Sequence, residues 1–299
     1  MVLKIDSVSK RFGDFEAVKQ ISFELEKGRM LGFLGRNGAG KTTTFRMILG
    51  LIEPSEGSIT FEGKSINATL YNHIGYLPEE RGLHPKLTVI EELKYLATLK
   101  GVPASSLDAT IERWLKRFKI VENRDKKIES LSKGNQQKIQ LLASIIHEPE
   151  LIILDEPFSG LDPVNVELLK EAIIELNQKG STIIFSSHRM EHIEELCDDV
   201  CILNNGEMVV QGTIDDVKSD YGYKRIVIDA DYDLSEIESL EGIRKVEKVK
   251  TQTYFTIEDE SVAQSVFQVI QQKGYVKRFE VVDPTIKEIF IQEVGDWDV

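Results

Sequence analysis

The sequence predicts an α/β protein: a parallel sheet with helices on its faces, a helical block inserted into it, and a small α+β unit after it. Three observations carry this expectation. First, residues 35 to 42 read Gly-Arg-Asn-Gly-Ala-Gly-Lys-Thr. They lie between the apolar run Met30-Leu31-Gly32-Phe33-Leu34 and the apolar-periodic segment Phe45, Ile48, Leu49. The context is therefore strand, glycine loop, helix. Second, Leu151-Ile152-Ile153-Leu154 is short and wholly apolar, as a central parallel strand buried on both faces requires. Third, a helix near Val164 to Gln178, ended by Lys179-Gly180, leads to Thr182–Phe185 as the next buried strand. That alternation implies a parallel sheet covered by helices.

In chain order, the first part reads as β-rich. Residues 1–6 alternate like a strand. The runs Leu3–Ile5, Ala17–Leu25 and Ser58–Phe61 are bounded by Gly13, Lys27-Gly28 and Pro54 to Gly57. From about Thr88 the period changes. Val89, Leu93, Leu96 and Leu99 mark one amphipathic helix; Leu107, Ile111, Trp114, Leu115 and Phe118 mark a second. A third starts near Gly134 and carries Ile139, Leu142, Ala143 and Ile146. This block, about 87–149, is inserted into the α/β core. Arg81-Gly82 and His84-Pro85 read as exposed turns where it begins. After Asp220 the pattern shifts again. Arg225–Asp229 alternates; Leu234, Ile237 and Leu240 suggest a short helix; Val246–Val249 and Tyr254–Ile257 suggest strands. Val262, Val266, Val269 and Ile270 suggest a helix, Val276–Val282 a last strand and Ile286–Glu293 a final helix. The order β-α-β-β-α-β is that of a ferredoxin-like unit. The expected domains are 1–220 and 221–299.

Bulk properties narrow the function classes. A chain of 299 residues, 41% hydrophobic and 29% charged, suffices for two soluble domains. No apolar run approaches the roughly 18–20 residues that span a bilayer. Residues 1–6 do not resemble a signal peptide. The expectation is a cytoplasmic chain that relies on another polypeptide for any passage through a membrane. A net charge of -13 disfavours nucleic acid as a general partner, because its phosphates would be repelled. The two cysteines, Cys197 and Cys201, do not form C-x-x-C. They read as buried structural thiols, not as a zinc site or a disulfide framework.

The glycine loop fits G-x-x-x-x-G-K-[ST] at every fixed position. Glycines let the backbone turn its N–H groups inward around an anion, and the helix N-terminus adds partial positive charge. Lys41 can reach the β- and γ-phosphates of a nucleotide, and the Thr42 hydroxyl can join the shell of Mg²⁺. The apolar strand ends at Asp155-Glu156. A carboxylate at that tip can hold Mg²⁺, and the adjacent Glu156 can orient or deprotonate an attacking water. Leu131-Ser132-Lys133-Gly134-Asn135-Gln136-Gln137 precedes the third helix of the block. Ser132, the Gly134 N–H and that helix N-terminus make a second potential anion cradle. His188 follows the strand Thr182–Phe185 and can donate a hydrogen bond to a γ-phosphate.

These residues, in this order, resemble the nucleotide-binding subunit of ABC (ATP-binding cassette) transporters, whose core is a P-loop NTPase fold. The likeness runs from about residue 2 to 218. It implies that Gly35, Asn37, Gly38, Ala39, Gly40, Lys41, Thr42 and Thr43 bind ATP. It makes Leu131 to Gln136 the signature segment, with Ser132, Gly134 and Asn135 facing nucleotide. It implies that Phe12, in Lys-Arg-Phe-Gly, stacks on adenine. Glu156 is then the catalytic glutamate and His188 the switch histidine. Ser159-Gly160-Leu161-Asp162 looks like the D-loop. Thr42, Asp155 and Glu79 would hold Mg²⁺. In this family two cassettes, alike or different, dimerise head to tail with ATP between the P-loop of one and the signature of the other. Hydrolysis drives a membrane-spanning permease from the inner face of the cell membrane.

Departures from the family pattern are specific. Lys133 replaces the first glycine of Leu-Ser-Gly-Gly-Gln, and Asn135 replaces its glutamine. Glu79 stands where the family carries the Q-loop glutamine. Glutamate can still ligate Mg²⁺, and its charge beside ATP raises dependence on the metal. The segment after 220 resembles the short C-terminal domain on cassettes of bacterial exporters with separate membrane subunits. Two other readings are a cassette ATPase acting on ribosomes or DNA, which usually carries two cassettes or a long coiled coil, and an ATP-sensing regulator, against which Glu156 and His188 speak.

Overall fold

A computed structural model describes residues 2–66, 68–80 and 82–295. Met1, placed by its pattern in the first strand, and Arg81, placed in an exposed turn, lie outside the described residues. The chain divides into two compact units, 1–212 and 213–299.

The first unit begins with the hairpin β1 (Leu3–Phe12) and β2 (Phe15–Leu25). β3 (Met30–Gly35) leads into α1 (Lys41–Ile48). β4 (Glu56–Phe61), β5 (Lys64–Ser65) and β6 (Ile74–Leu77) follow. The helical block comprises α2 (Val89–Leu99), α3 (Ala104–Arg117) and α4 (Lys133–Ile145). The core resumes with β7 (Leu151–Asp155), α5 (Pro163–Gln178), β8 (Thr182–Ser186), α6 (Met190–Leu196), β9 (Asp199–Asn204) and β10 (Glu207–Thr213).

Two sheets result. One has the order β2-β1-β4-β5; the other has the order β10-β9-β3-β8-β7-β6. In the first the strands pair antiparallel. In the second, β9, β3, β8, β7 and β6 pair parallel. β1 is longer than the alternation suggests, because register shifts interrupt its pairing with β2 between Ile5 and Lys10. Ser7 and Gln20 adopt positive φ there, and each shift turns the following side chains to the other face. The sheets share one core. Phe23 of β2, Phe33 of β3 and Phe45 of α1 stack in series at 5.8 and 5.3 Å. Since β3, β8 and β7 are neighbours and parallel, their carboxyl ends open at one edge, where ligands of such sheets bind.

The helical block is joined to this core through α4. Its start is capped by Ser132, whose hydroxyl accepts from Asn135 N. Its later half lies directly on β6. A Cβ at Gly75 would sit 2.3 Å from Ser144 O, so only glycine permits that approach. α2 opens with a capping box formed by Thr88 and Glu91.

The second unit starts earlier than the sequence suggests. Its first element is α7 (Ile214–Asp220), a short helix that buries Ile214 and Val217 and lies against the last helix of the same unit. The change of pattern at 220/221 therefore falls inside the unit, not at its edge. β11 (Lys224–Asp229), α8 (Ser235–Glu238), β12 (Ile243–Val249), β13 (Gln252–Ile257), α9 (Ser261–Lys273), β14 (Arg278–Val282) and α10 (Ile286–Val294) follow. This is the β-α-β-β-α-β order plus a final helix. The sheet runs β12-β13-β11-β14, all antiparallel. Ile226, Ile228, Phe255 and Ile257 on one face pack against Ile237, Val266 and Ile270, which gives this small unit a core of its own.

Candidate functional site

The glycine loop turns at the carboxyl end of β3. Gly40 caps α1 with φ 105, and a Cβ there would lie 2.7 Å from Ala17 O. Both conformation and space exclude a side chain. Lys41 folds back over the loop: its Nζ donates to Gly35 O (2.7 Å) and Arg36 O (3.2 Å). Burial pushes the Lys41 ammonium down, while Glu156, Asp155 and Glu79 oppose that shift.

The tips of β7 and β8 meet the loop from the side. Thr42 Oγ1 donates to Asp155 Oδ2 at 3.4 Å. The other oxygen of the buried Asp155, Oδ1, accepts from Ser186 Oγ at 2.6 Å. Ser186 Oγ in turn accepts from Glu156 N at 3.1 Å. Ser186 thus fixes both carboxylate-bearing residues to the neighbouring strand tip.

Glu156 sits at φ 52, a conformation that costs a non-glycine residue free energy and marks functional positions. Its Oε2 accepts from His188 N (3.2 Å), and Oε1 lies 3.4 Å from His188 Nε2. Burial pushes the carboxyl up to about 7; the His188 N–H and the Lys41 charge pull it back, and Asp155 and Glu79 add to the rise. Burial and the Lys41 charge push the His188 imidazole down, while Glu79 and Asp155 oppose that shift. A buried carboxyl poised near neutrality beside a half-buried ammonium is characteristic of acid–base chemistry.

A cavity of about 320 Å³ collects these groups. Arg36, Asn37, Gly38, Gly40, Lys41, Thr42 and Thr43 line it from the loop side, Glu79, Asp155, Glu156 and His188 from the strand tips, and Phe15 and Ala17 from β2. A more open hollow of about 790 Å³ lies between β2 and β10. Its charges are already paired, Arg11 with Glu16 and Lys19 with Glu207, so the smaller cavity carries the chemistry.

Most residues singled out in the sequence converge here, and some do not. Gly35 and Ala39 lie behind the lining, where Gly35 O receives Lys41 and Ala39 N donates to Arg36 O. Phe12 is not on the cavity wall. It pairs across the hairpin with Phe15, which is, and Lys10 Nζ lies 5.2 Å from the Phe12 ring centroid. Ser132, Gly134 and Asn135 do not line the cavity either. Gly134 lies beside Leu161 and Asn165, within 3.5 Å of where its Cβ would be. Sequence reasoning missed Ser186 and Phe15. Ser186 ends an apolar run, but its place opposite Asp155 is set by the pairing of β7 and β8.

Comparison with known proteins identifies the architecture. The ABC transporter family matches residues 18–159, and the DrrA1-3-like ATP-binding protein C-terminal domain matches residues 212–294. The chain is 50% identical to the ABC transporter ATP-binding protein YhaQ of Bacillus subtilis over 98% of this chain and 99% of that one. It is 33% identical to Nod factor export ATP-binding protein I of Ralstonia nicotianae, over 71% of this chain and 67% of that protein. A solved ATP-binding subunit of an ABC transporter superposes with a TM-score of 0.71 at 32% identity, covering 74% of this chain and 94% of that one. With the loop, the strand-tip carboxylates and the inserted helical block in one unit, the chain belongs to the ABC transporter family, as one of its ATP-binding, ATP-hydrolysing subunits.

Proposed function

We propose that the chain binds Mg²⁺-ATP in the 320 Å³ cavity, hydrolyses it with Glu156, and so powers export through a separate membrane-spanning partner. The observation that carries this reading is the meeting of Lys41, Thr42, Asp155, Glu156 and His188 on one cavity. The loop N–H groups and Lys41 Nζ receive the phosphates, and Lys41 exchanges its two backbone carbonyls for them. The aromatic pair at the β1–β2 tip, Phe12 and Phe15, offers the face on which adenine stacks. Thr42 Oγ1 and Asp155 Oδ2, 3.4 Å apart, are hard oxygen donors of the kind Mg²⁺ selects, and Glu79 faces the same cavity. When bound, the ion neutralises charge on the β- and γ-phosphates. Glu156 accepts the proton of the attacking water, and His188 donates to the terminal phosphate.

Ser132, Gly134 and Asn135 stand apart from their own chain's cavity, which supports a head-to-tail pair in which they close the site of a second cassette. No described helix is long and apolar enough to cross a membrane. The likeness to ABC transporter ATP-binding proteins supports a permease on a separate chain, with this chain at the cytoplasmic face of the membrane. Export is supported by the likeness to a Nod factor export protein.

The surface for the permease is an apolar groove of about 690 Å³ between core and helical block, lined by Leu51, Tyr76, Pro78, Gly82, Leu96 and Leu99 among others. A helix of the membrane partner fits its apolar lining. Cysteine at Gly82, where a Cβ has open space, is expected to cross-link to a membrane-spanning protein. His84 is a poorer position, because it pairs with the buried Glu92 at 3.0 Å. Capture exclusively through residues after 224 would exclude the groove as the docking surface.

The second unit is read as an accessory to control. A fragment ending at Thr213 is expected to bind ATP with nearly the affinity of the full chain, since every residue of the cavity precedes 190. ATP titration and sedimentation check this. A folded fragment that fails to bind ATP would contradict the autonomy of the first unit.

A further inference from the structure

Two buried glutamines of α4 hold the segments that follow β6 and β7. Gln140 is 4% exposed, and its Nε2 donates to Pro78 O (3.3 Å) and Glu80 O (3.1 Å). Those two carbonyls flank Glu79. Gln137 is 7% exposed, and its Nε2 donates to Pro157 O (3.0 Å), the residue after Glu156. Three positions apart on one helix, the two side chains are neighbours. The same helix starts at the signature segment and rests on β6 at Gly75, where the two backbones nearly touch. One rigid element therefore carries Ser132–Asn135 and grips the chain around Glu79 and just beyond Glu156.

Only one end of the Gln140 amide is used. Its Oε1 is buried and accepts no hydrogen bond among the described residues, and a buried acceptor without a partner destabilises a fold. Methionine would fill the same length but would leave Pro78 O and Glu80 O without this donor. What the glutamine adds is its donor end. Gln140 also lines the apolar groove read above as the permease surface, together with Pro78. The groove and the Glu79 segment are thus joined by one side chain.

We propose that Gln140 and Gln137 are positioning residues that make the Glu79 and Glu156 segments follow α4, so that a shift of α4 by an occupant of the groove resets both carboxylates together. The inference rests on the roles given above to Glu79 and Glu156. Hydrogen bonds from a buried amide to a carbonyl are directional, so they transmit displacement as well as hold position. A helix that moves as a unit then reaches both sides of the phosphate site at once.

The test uses Gln140→Met and Gln137→Met in the full chain, read by amide hydrogen exchange and by ATP turnover. Both are expected to fold, with Gln140→Met melting slightly below the wild type because Pro78 O and Glu80 O lose a donor. In Gln140→Met, exchange across residues 76–80 should speed about fivefold while 156–160 stays unchanged; Gln137→Met should reverse the pattern. In each variant kcat should fall about tenfold with ATP affinity kept within about twofold. Gln140→Met alone should need more Mg²⁺ for half-maximal turnover. Gln137→Asn, which keeps an amide but shortens its reach, replaces Gln137→Met if the latter does not fold, with the same expectation. Unchanged exchange, or unchanged turnover, in both variants overturns the proposal. Failure of the underlying site assignment shows separately, as full turnover in Glu156→Gln, which alters no residue of α4.

Discussion

Glu156→Gln is expected to lower ATP turnover by about 10²-fold or more while ATP still binds. The amide keeps the shape of the side chain and the contact with His188 N, but it cannot accept the proton of water. Bound ATP then persists, and the variant should accumulate as a nucleotide-bridged pair of cassettes. Turnover within about threefold of wild type would contradict the assignment.

The same residue sets two pH dependences. Glu156 is pushed up to about 7 by burial in the free protein, and a general base must be ionised. The acid limb of kcat/KM is therefore expected near pH 7 in the wild type. Stability runs the other way. Between the ordinary value of 4.5 and about 7, the folded protein holds a proton that the unfolded chain has released. Stability consequently falls as pH rises through that window. Glu156→Gln lacks this penalty, so it should gain up to about 3 kcal/mol over wild type above pH 7, and nothing below pH 4. Melting curves at pH 4 and pH 8 separate the two; a gain that is equal at both values would contradict the buried, proton-holding carboxyl.

Lys41→Ala is expected to abolish measurable ATP affinity, a loss of at least about 10²-fold. The ammonium lies over the loop mouth, where it is held by Gly35 O and Arg36 O and where three carboxylates oppose the downward push of burial. The phosphate charges it meets are present before any bond breaks, so its loss appears in binding and not only in rate. Removing its charge also pushes Glu156 further up, because Lys41 is one of the groups that lower it. Calorimetry reads the outcome directly. Unchanged affinity would contradict the role of the loop lysine.

How much of this is legible in the sequence depends on whether a local rule governs each residue. The glycine loop is legible because turn, helix start and lysine must occur at fixed spacing. Asp155 and Glu156 are legible because an apolar strand has to end before them. The strands of the second unit are legible because one face alternates into a packed core. Ser186 is not, since a serine at a strand tip reads the same whether it ends a strand or clamps two carboxylate residues. Phe15 is hidden by the irregular pairing of β1 and β2, which decides which ring of the hairpin meets the cavity. Gln137 and Gln140 look like a solvated helix face; they are buried only because the segments after β6 and β7 fold over them. The start of the second unit is hidden because α7 is short and mostly polar, and only its packing against α10 assigns it.

The most direct test is a crystal structure of Glu156→Gln with Mg²⁺-ATP. The expected result is two cassettes head to tail, each terminal phosphate against Lys41 and His188 of one copy and against Ser132 and Gly134 of the other, with the metal on Thr42 and Asp155. ATP bound away from the glycine loop, or a site closed by one copy without the signature segment of a second, would contradict the account.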